Sequence, residues 1–121
     1  MTENKKTVEK YIDGFNKSEH EQIFSCLTDD IEWTVFGAFH LKGKEAYDKE
    51  IENDHFVGSP DVTITNMVEE NNVVMAEATL KVKRKTGGFM RAAMSEVFVM
   101  QDGLIQERRA YVIELKKDDV M

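Results

Sequence analysis

Apolar positions recur along the first part of the chain with the period of a helix and along the rest with the period of a strand. Val8, Tyr11, Ile12 and Phe15 stand at i, i+3, i+4 and i+7, one face of a first helix, with lysines and acids opposite. Asn16 and Lys17 end it, and Ser18 with Glu21 reads as a capping box for a short second helix that buries Ile23, Phe24 and Leu27. Thr28-Asp29-Asp30 reads as a turn. Ile31, Trp33 and Val35 then alternate with Glu32 and Thr34 as a half-buried strand, which Gly37 breaks. Gly43 opens a third helix through Ala46, Tyr47 and Ile51, and Gly58-Ser59-Pro60-Asp61 is the next break. From there the period is two. Val62, Ile64 and Val68 belong to one strand, and Asn71-Asn72 makes a turn. Val74, Ala76, Ala78, Leu80 and Val82 share a face opposite Glu77, Thr79, Lys81 and Lys83. Thr86-Gly87-Gly88 leads into a strand from Phe89 to Met100, Asp102-Gly103 is a type I′ hairpin signal, and a last strand runs from Leu104 to about Leu115. The pattern predicts one α+β domain over residues 1–121, with short helices first, a curved antiparallel sheet after them, and a charged tail frayed over about 116–121.

A two-residue turn at Asp102-Gly103 sets a register for the final hairpin: Met100 opposite Ile105, Val97 opposite Arg108, Glu96 opposite Arg109, Ser95 opposite Ala110. One face then carries Met94, Glu96, Phe98, Met100, Ile105, Arg109, Tyr111 and Ile113. The other carries Arg91, Ala93, Ser95, Val97, Val99, Arg108, Ala110 and Val112. Both are apolar enough to need cover, and three short helices cover only one. A second copy of the chain, seated on the face with Phe98, Met100 and Tyr111, is the expected second cover.

Composition narrows the partners. The 121 residues carry a net charge of -7, against phosphate-backbone binding, so no nucleic-acid partner is expected. No apolar run spans a bilayer, no amphipathic stretch suits a membrane surface, and the polar start Thr2-Glu3-Asn4-Lys5-Lys6 is unlike a signal peptide. The one cysteine, Cys26, has no disulfide partner within the chain, which suits a reducing compartment and makes a cytoplasmic location the expectation. The histidines and Cys26 have no metal-ligand spacing, and no nucleotide fingerprint is present; neither metal nor other cofactor is expected.

The order of elements resembles the nuclear transport factor 2-like superfamily, in its branch of SnoaL-like cyclases and ketosteroid isomerases. The residues that carry the likeness are Tyr11-Ile12-Asp13-Gly14-Phe15-Asn16, Leu27-Thr28-Asp29-Asp30-Ile31-Glu32-Trp33, Leu41-Lys42-Gly43-Lys44-Glu45-Ala46 and Gln101-Asp102-Gly103-Leu104-Ile105. The resemblance implies a cone-shaped fold, three N-terminal helices packed on a strongly curved antiparallel sheet, with an apolar small-molecule pocket between them and a homodimer. It aligns the isomerases' oxyanion-stabilising tyrosine with Tyr11. Their general base falls at Val35, their hydrogen-bonding acid at Ser95, and the last-strand aspartate of many SnoaL-like proteins at Ala110. Conventional ketosteroid isomerisation is therefore not expected.

Tyr11, Phe15, Trp33, Val35, Ala78, Leu80, Ser95, Val97, Arg108 and Val112 are the expected ligand-contacting residues, in a pocket for a small apolar organic molecule. The candidates for chemistry are Tyr11, Arg108, His55 and Glu96. Tyr11 reads either as core or as a hydrogen-bond donor to the ligand. Glu96 reads as half of an ion pair with Arg109 at the dimer interface, or as a pocket acid. Arg108, with only Val97 opposite, reads as a rim cation or as the partner of an anionic ligand group. His55 follows the third helix and reads as a loop histidine or a general base. Acid–base chemistry of the isomerase or cyclase type, a non-catalytic binding or dimerisation module, and an epoxide-hydrolase-like enzyme are the three functions in view. The last needs an aspartate–arginine–aspartate set that the sequence does not visibly supply.

Overall fold

The computed structural model describes residues 1–52 and 56–116. Helix α1 (Glu3–Asn16) begins at Thr2, whose hydroxyl accepts from the Lys5 amide at 3.2 Å, and buries Val8, Tyr11, Ile12 and Phe15. Helix α2 (His20–Phe24) lies close against it at Gly14, where a Cβ would stand 3.1 Å from the Ile23 side chain. The expected capping box is absent. Ser18 adopts a left-handed φ of 51° and its hydroxyl bonds that of Ser59 at 2.7 Å, while Glu19 takes the cap position without a side-chain bond.

Strand β1 (Leu27–Val35) includes Thr28-Asp29-Asp30, which is extended rather than a turn; its pairing is irregular between Leu27 and Glu32. A short strand β2 (Phe39–Lys42), not anticipated, returns beside β1 before Gly43 opens helix α3 (Lys44–Ile51). Strand β3 (Phe56–Glu70) runs through Gly58–Asp61, where the register against β4 (Val73–Arg84) shifts instead of the strand ending. Strands β5 (Phe89–Gln101) and β6 (Leu104–Leu115) complete one sheet of order β2-β1-β6-β5-β4-β3, antiparallel except for the parallel pair β1–β6. Each bulge adds twist, and the sheet curves around the helices as a cone.

The final hairpin corrects the expected register. Asp102 and Gly103 have the positive φ values of the predicted turn, 51° and 79°, and Met100 faces Ile105. Gln106 is then an extra residue: Val99 faces Glu107, Phe98 faces Arg108, Val97 faces Arg109, Glu96 faces Ala110 and Ser95 faces Tyr111. One inserted residue exchanges the faces of everything beyond it. Met94, Glu96, Phe98 and Met100 therefore lie under the helices together with Ile105, Arg108, Ala110 and Val112. Ser95 and Val97, expected inside, lie on the outer face with Arg109, Tyr111 and Ile113.

Candidate functional site

The interior of the cone holds one polar network inside an aromatic box. Arg108 on β6 is buried, and its Nε donates to Glu96 Oε1 on β5 at 2.8 Å; its Nη2 donates to the same oxygen. The sequence pairs Glu96 with Arg109, but the bulge turns Arg109 outward to Glu107, at 3.0 Å, and gives Glu96 to Arg108. Arg108 Nη1 donates to the Tyr11 hydroxyl, which shares a further hydrogen bond with the hydroxyl of Tyr47 on α3. The guanidinium carbon lies 4.5 Å from the ring centre of Trp33 and 5.2 Å from those of Tyr11 and Phe15. Trp33 stacks on Tyr47 at 4.6 Å and meets Phe15 and Phe39 edge-on.

Burial pushes the Tyr11 hydroxyl well above its ordinary pKa, and the opposing pull of Arg108 does not cancel it; Tyr47 moves the same way for the same reason. Both hydroxyls stay protonated at neutral pH. Burial works against the Arg108 charge too, but the Glu96 carboxylate outweighs it and the pKa rises. Among the described residues two buried side-chain polar atoms have no hydrogen-bond partner, the indole nitrogen of Trp33 and Glu96 Oε2. One is a donor and the other an acceptor.

The structure brings Tyr11, Phe15, Trp33, Glu96 and Arg108 together. Ala78 is buried on the same inner face, and Leu80, Val112 and Val35 are half-buried against the core. Ser95 and Val97 are outside this group, and His55 lies outside the described residues. Val35 and Ala110, the positions where the resemblance puts carboxylates, face each other across β1 and β6. Tyr47 was missed: its spacing from Ile51 marks a buried helix face, and the signal was that a buried tyrosine hydroxyl requires a partner. Cys26 is buried, its thiol donates to the Gln22 carbonyl at 3.4 Å, and burial raises its pKa, away from nucleophilic use. His40 bonds Thr34 at 2.6 Å, and His20 lies between Asp48 and Glu52. Among the described residues no group of three or more His, Cys, Asp or Glu could hold a metal ion, and no helix is long and apolar enough to cross a membrane.

Residues 8–108 match the model of the SnoaL-like domain. No curated protein sequence matches the chain. Among solved structures, an LEH-like epoxide hydrolase of M. tuberculosis superposes with a TM-score of 0.81 at 18% identity, over 92% of this chain and 83% of that one. A protein described as a ketosteroid isomerase from Kribbella flavida gives 0.77 at 17%, over 98% and 84%. One described as a SnoaL-like polyketide cyclase from Jannaschia gives 0.78 at 17%, over 91% and 85%. At these identities the likeness is one of fold.

Proposed function

The chain belongs to the SnoaL-like domain family, and on that premise we propose that it binds a small, neutral, largely apolar molecule inside the cone, against Tyr11, Trp33, Glu96 and Arg108. The observation that carries this reading is the pair of orphaned polar atoms, Trp33 Nε1 and Glu96 Oε2, where the other buried side-chain polar atoms among the described residues have partners. A buried polar atom without a partner costs about 1–3 kcal/mol. A ligand that accepts from the indole and donates to the carboxylate removes both penalties. Neutrality follows from Glu96: it compensates the Arg108 charge, so a ligand carboxylate would meet an ion pair rather than a free cation. On this reading Arg108, which the sequence offers as a rim cation or as the partner of an anionic ligand group, is instead half of a buried ion pair.

If the protein is an enzyme, the free oxygen of Glu96 is placed to take a proton and the protonated Tyr11–Tyr47 pair to donate a hydrogen bond. The reading calls on no cofactor. The apolar pair Val35 and Ala110 favours the second reading, a binding module without catalysis, because both positions lack the carboxylates that the resemblance implies. For epoxide hydrolysis, the buried charged side chains among the described residues are Glu96 and Arg108, one carboxylate where the implied set needs two. We assign the protein to the cytoplasm from its unpaired Cys26, and to a homodimer through the outer sheet face.

A thermal-shift screen with matched sets tests the ligand: an apolar alcohol, the corresponding ketone, the acid and its methyl ester. A ligand at a hundred times its Kd stabilises by about 2.7 kcal/mol. The neutral members should raise the melting temperature and the acids should not. A consistent preference for the acids would overturn the neutral-ligand reading.

A further inference from the structure

Helix α3 closes the cone over the polar network. Its Tyr47 is fully buried, stacks on Trp33 and bonds Tyr11, and its Ile51 is buried beside it. The two ends of α3 are held differently. At its start, Gly43 has a φ of 88° and open space around its Cα, while its amide donates to the Ile31 carbonyl of β1 at 2.8 Å. That is an anchored position with the conformational freedom of a hinge. Along its outer side, Asp48 and Glu52, one turn apart, reach the same residue of α2: His20 Nδ1 lies 2.5 Å from Asp48 and Nε2 lies 3.2 Å from Glu52.

We propose that α3 is a lid on the cone, hinged at Gly43 and latched to α2 by His20, and that the latch releases when His20 loses its proton, so that pH sets access to the site. The inference rests on the reading that a ligand enters the cone. A protonated imidazole donates from both nitrogens and satisfies both carboxylates. A neutral one has a single N–H, and its other nitrogen faces a carboxylate with no proton between them. Asp48 and then Glu52 raise the pKa of His20 above 6.5. The latch is therefore complete below about 6.5 and is lost as pH rises through the raised value. Other charges around His20 are occupied or nearby on its own helix. Glu19, at the cap position, and Glu21, on α2, flank it in sequence. Just past α1, Lys17 pairs with Asp13 at 2.9 Å, and Gln22 of α2 bonds Asp13. On α3, Lys49 pairs with Glu45 at 3.9 Å and Lys44 with Asp29 of β1 at 3.3 Å.

Trp33 is the chain's one tryptophan and reports directly on the lid, because lifting α3 removes Tyr47 from its face. Acrylamide quenching of the ligand-free protein, followed from pH 5.5 to 9, should rise about two- to fivefold, the range for a partly exposed ion pair worth up to about 1 kcal/mol. His20→Gln should be quenched at the high level throughout. The double variant Asp48→Asn/Glu52→Gln should match it, while His40→Gln and His55→Gln should keep the wild-type response. Circular dichroism confirms that each variant is folded. A flat wild-type profile, or a pH response that survives in folded His20→Gln or in the carboxamide double variant, would overturn the latch. The ligand reading is judged separately, by thermal shift, and can fail while the latch stands.

Discussion

Arg108 has a carboxylate, a hydroxyl and three aromatic rings around it, so removing it does more than delete a charge. Arg108→Leu leaves the Glu96 carboxylate buried and alone, which costs about 3–5 kcal/mol in comparable buried pairs, whereas replacing both partners with apolar residues is often close to neutral. Urea melts of Arg108→Leu and of Glu96→Met/Arg108→Leu should therefore differ by several kcal/mol in favour of the double variant. Equal stabilities would show that the pair does not act as a unit. Tyr11→Phe deprives both Arg108 Nη1 and Tyr47 of a partner and should cost about 1–3 kcal/mol. Every one of these residues is conspicuous in the sequence as a charge or ring on an apolar pattern. Their partnership was not legible, because Glu96 and Arg108 meet only through the sheet register and Tyr47 only through the docking of α3.

At the level of elements, the turn residues spoke plainly and the bulges did not. Asn71, Asn72 and Asp102 carry the positive φ that their short polar side chains tolerate, and Gly103 one that the lack of a Cβ permits, so both hairpin turns could be read locally. Gln106 is an ordinary polar residue in an ordinary strand, and its role as the inserted residue depends on packing: bulged out of the ladder it leaves Arg108, Ala110 and Val112 facing the helices, whereas paired opposite Val99 it would turn Glu107, Arg109 and Tyr111 there instead. Deleting Gln106 should accordingly keep the cooperative melt in calorimetry, because Ile105 and Glu107 then follow one another opposite Met100 and Val99 and the observed pairs beyond them are preserved. A deletion variant that loses its cooperative melt would mean that the bulge itself, and not only the register beyond it, is needed to seat β6. Gly58–Asp61 misled in the opposite sense, since turn-forming residues also make bulges inside a strand. The His20 bridge between α2 and α3 adds a stability signature. The melting-temperature gap between wild type and His20→Gln should be largest below pH 6.5, the ordinary value for histidine, and should close as pH rises through the elevated one.

For the whole molecule, the correction of register moves the proposed dimer face to the outer side of the last hairpin. Phe98 and Met100 belong to the core, and the outer face instead presents Met75, Tyr111 and Ile113, exposed by 45%, 48% and 67%, with Phe36 stacked on Tyr111 at 4.6 Å. Exposed apolar side chains gathered on one sheet face mark an interaction surface. Sedimentation at micromolar concentration should show a dimer for the wild type and a monomer for Tyr111→Lys/Ile113→Glu with its melting cooperativity intact; a wild-type monomer would set the proposed homodimer aside. The sequence by itself determined the fold class, most of the elements and which residues are apolar, because helix and strand periods and turn chemistry are written in neighbours a few positions apart. Only the tertiary structure decided which face of the last hairpin is inside, that β1 lies parallel to β6, and that Glu96 neutralises Arg108 beneath Tyr47 and Trp33. Those facts hang on a single inserted residue and on contacts between residues far apart in the chain, and in a strand one residue is the whole difference between core and surface.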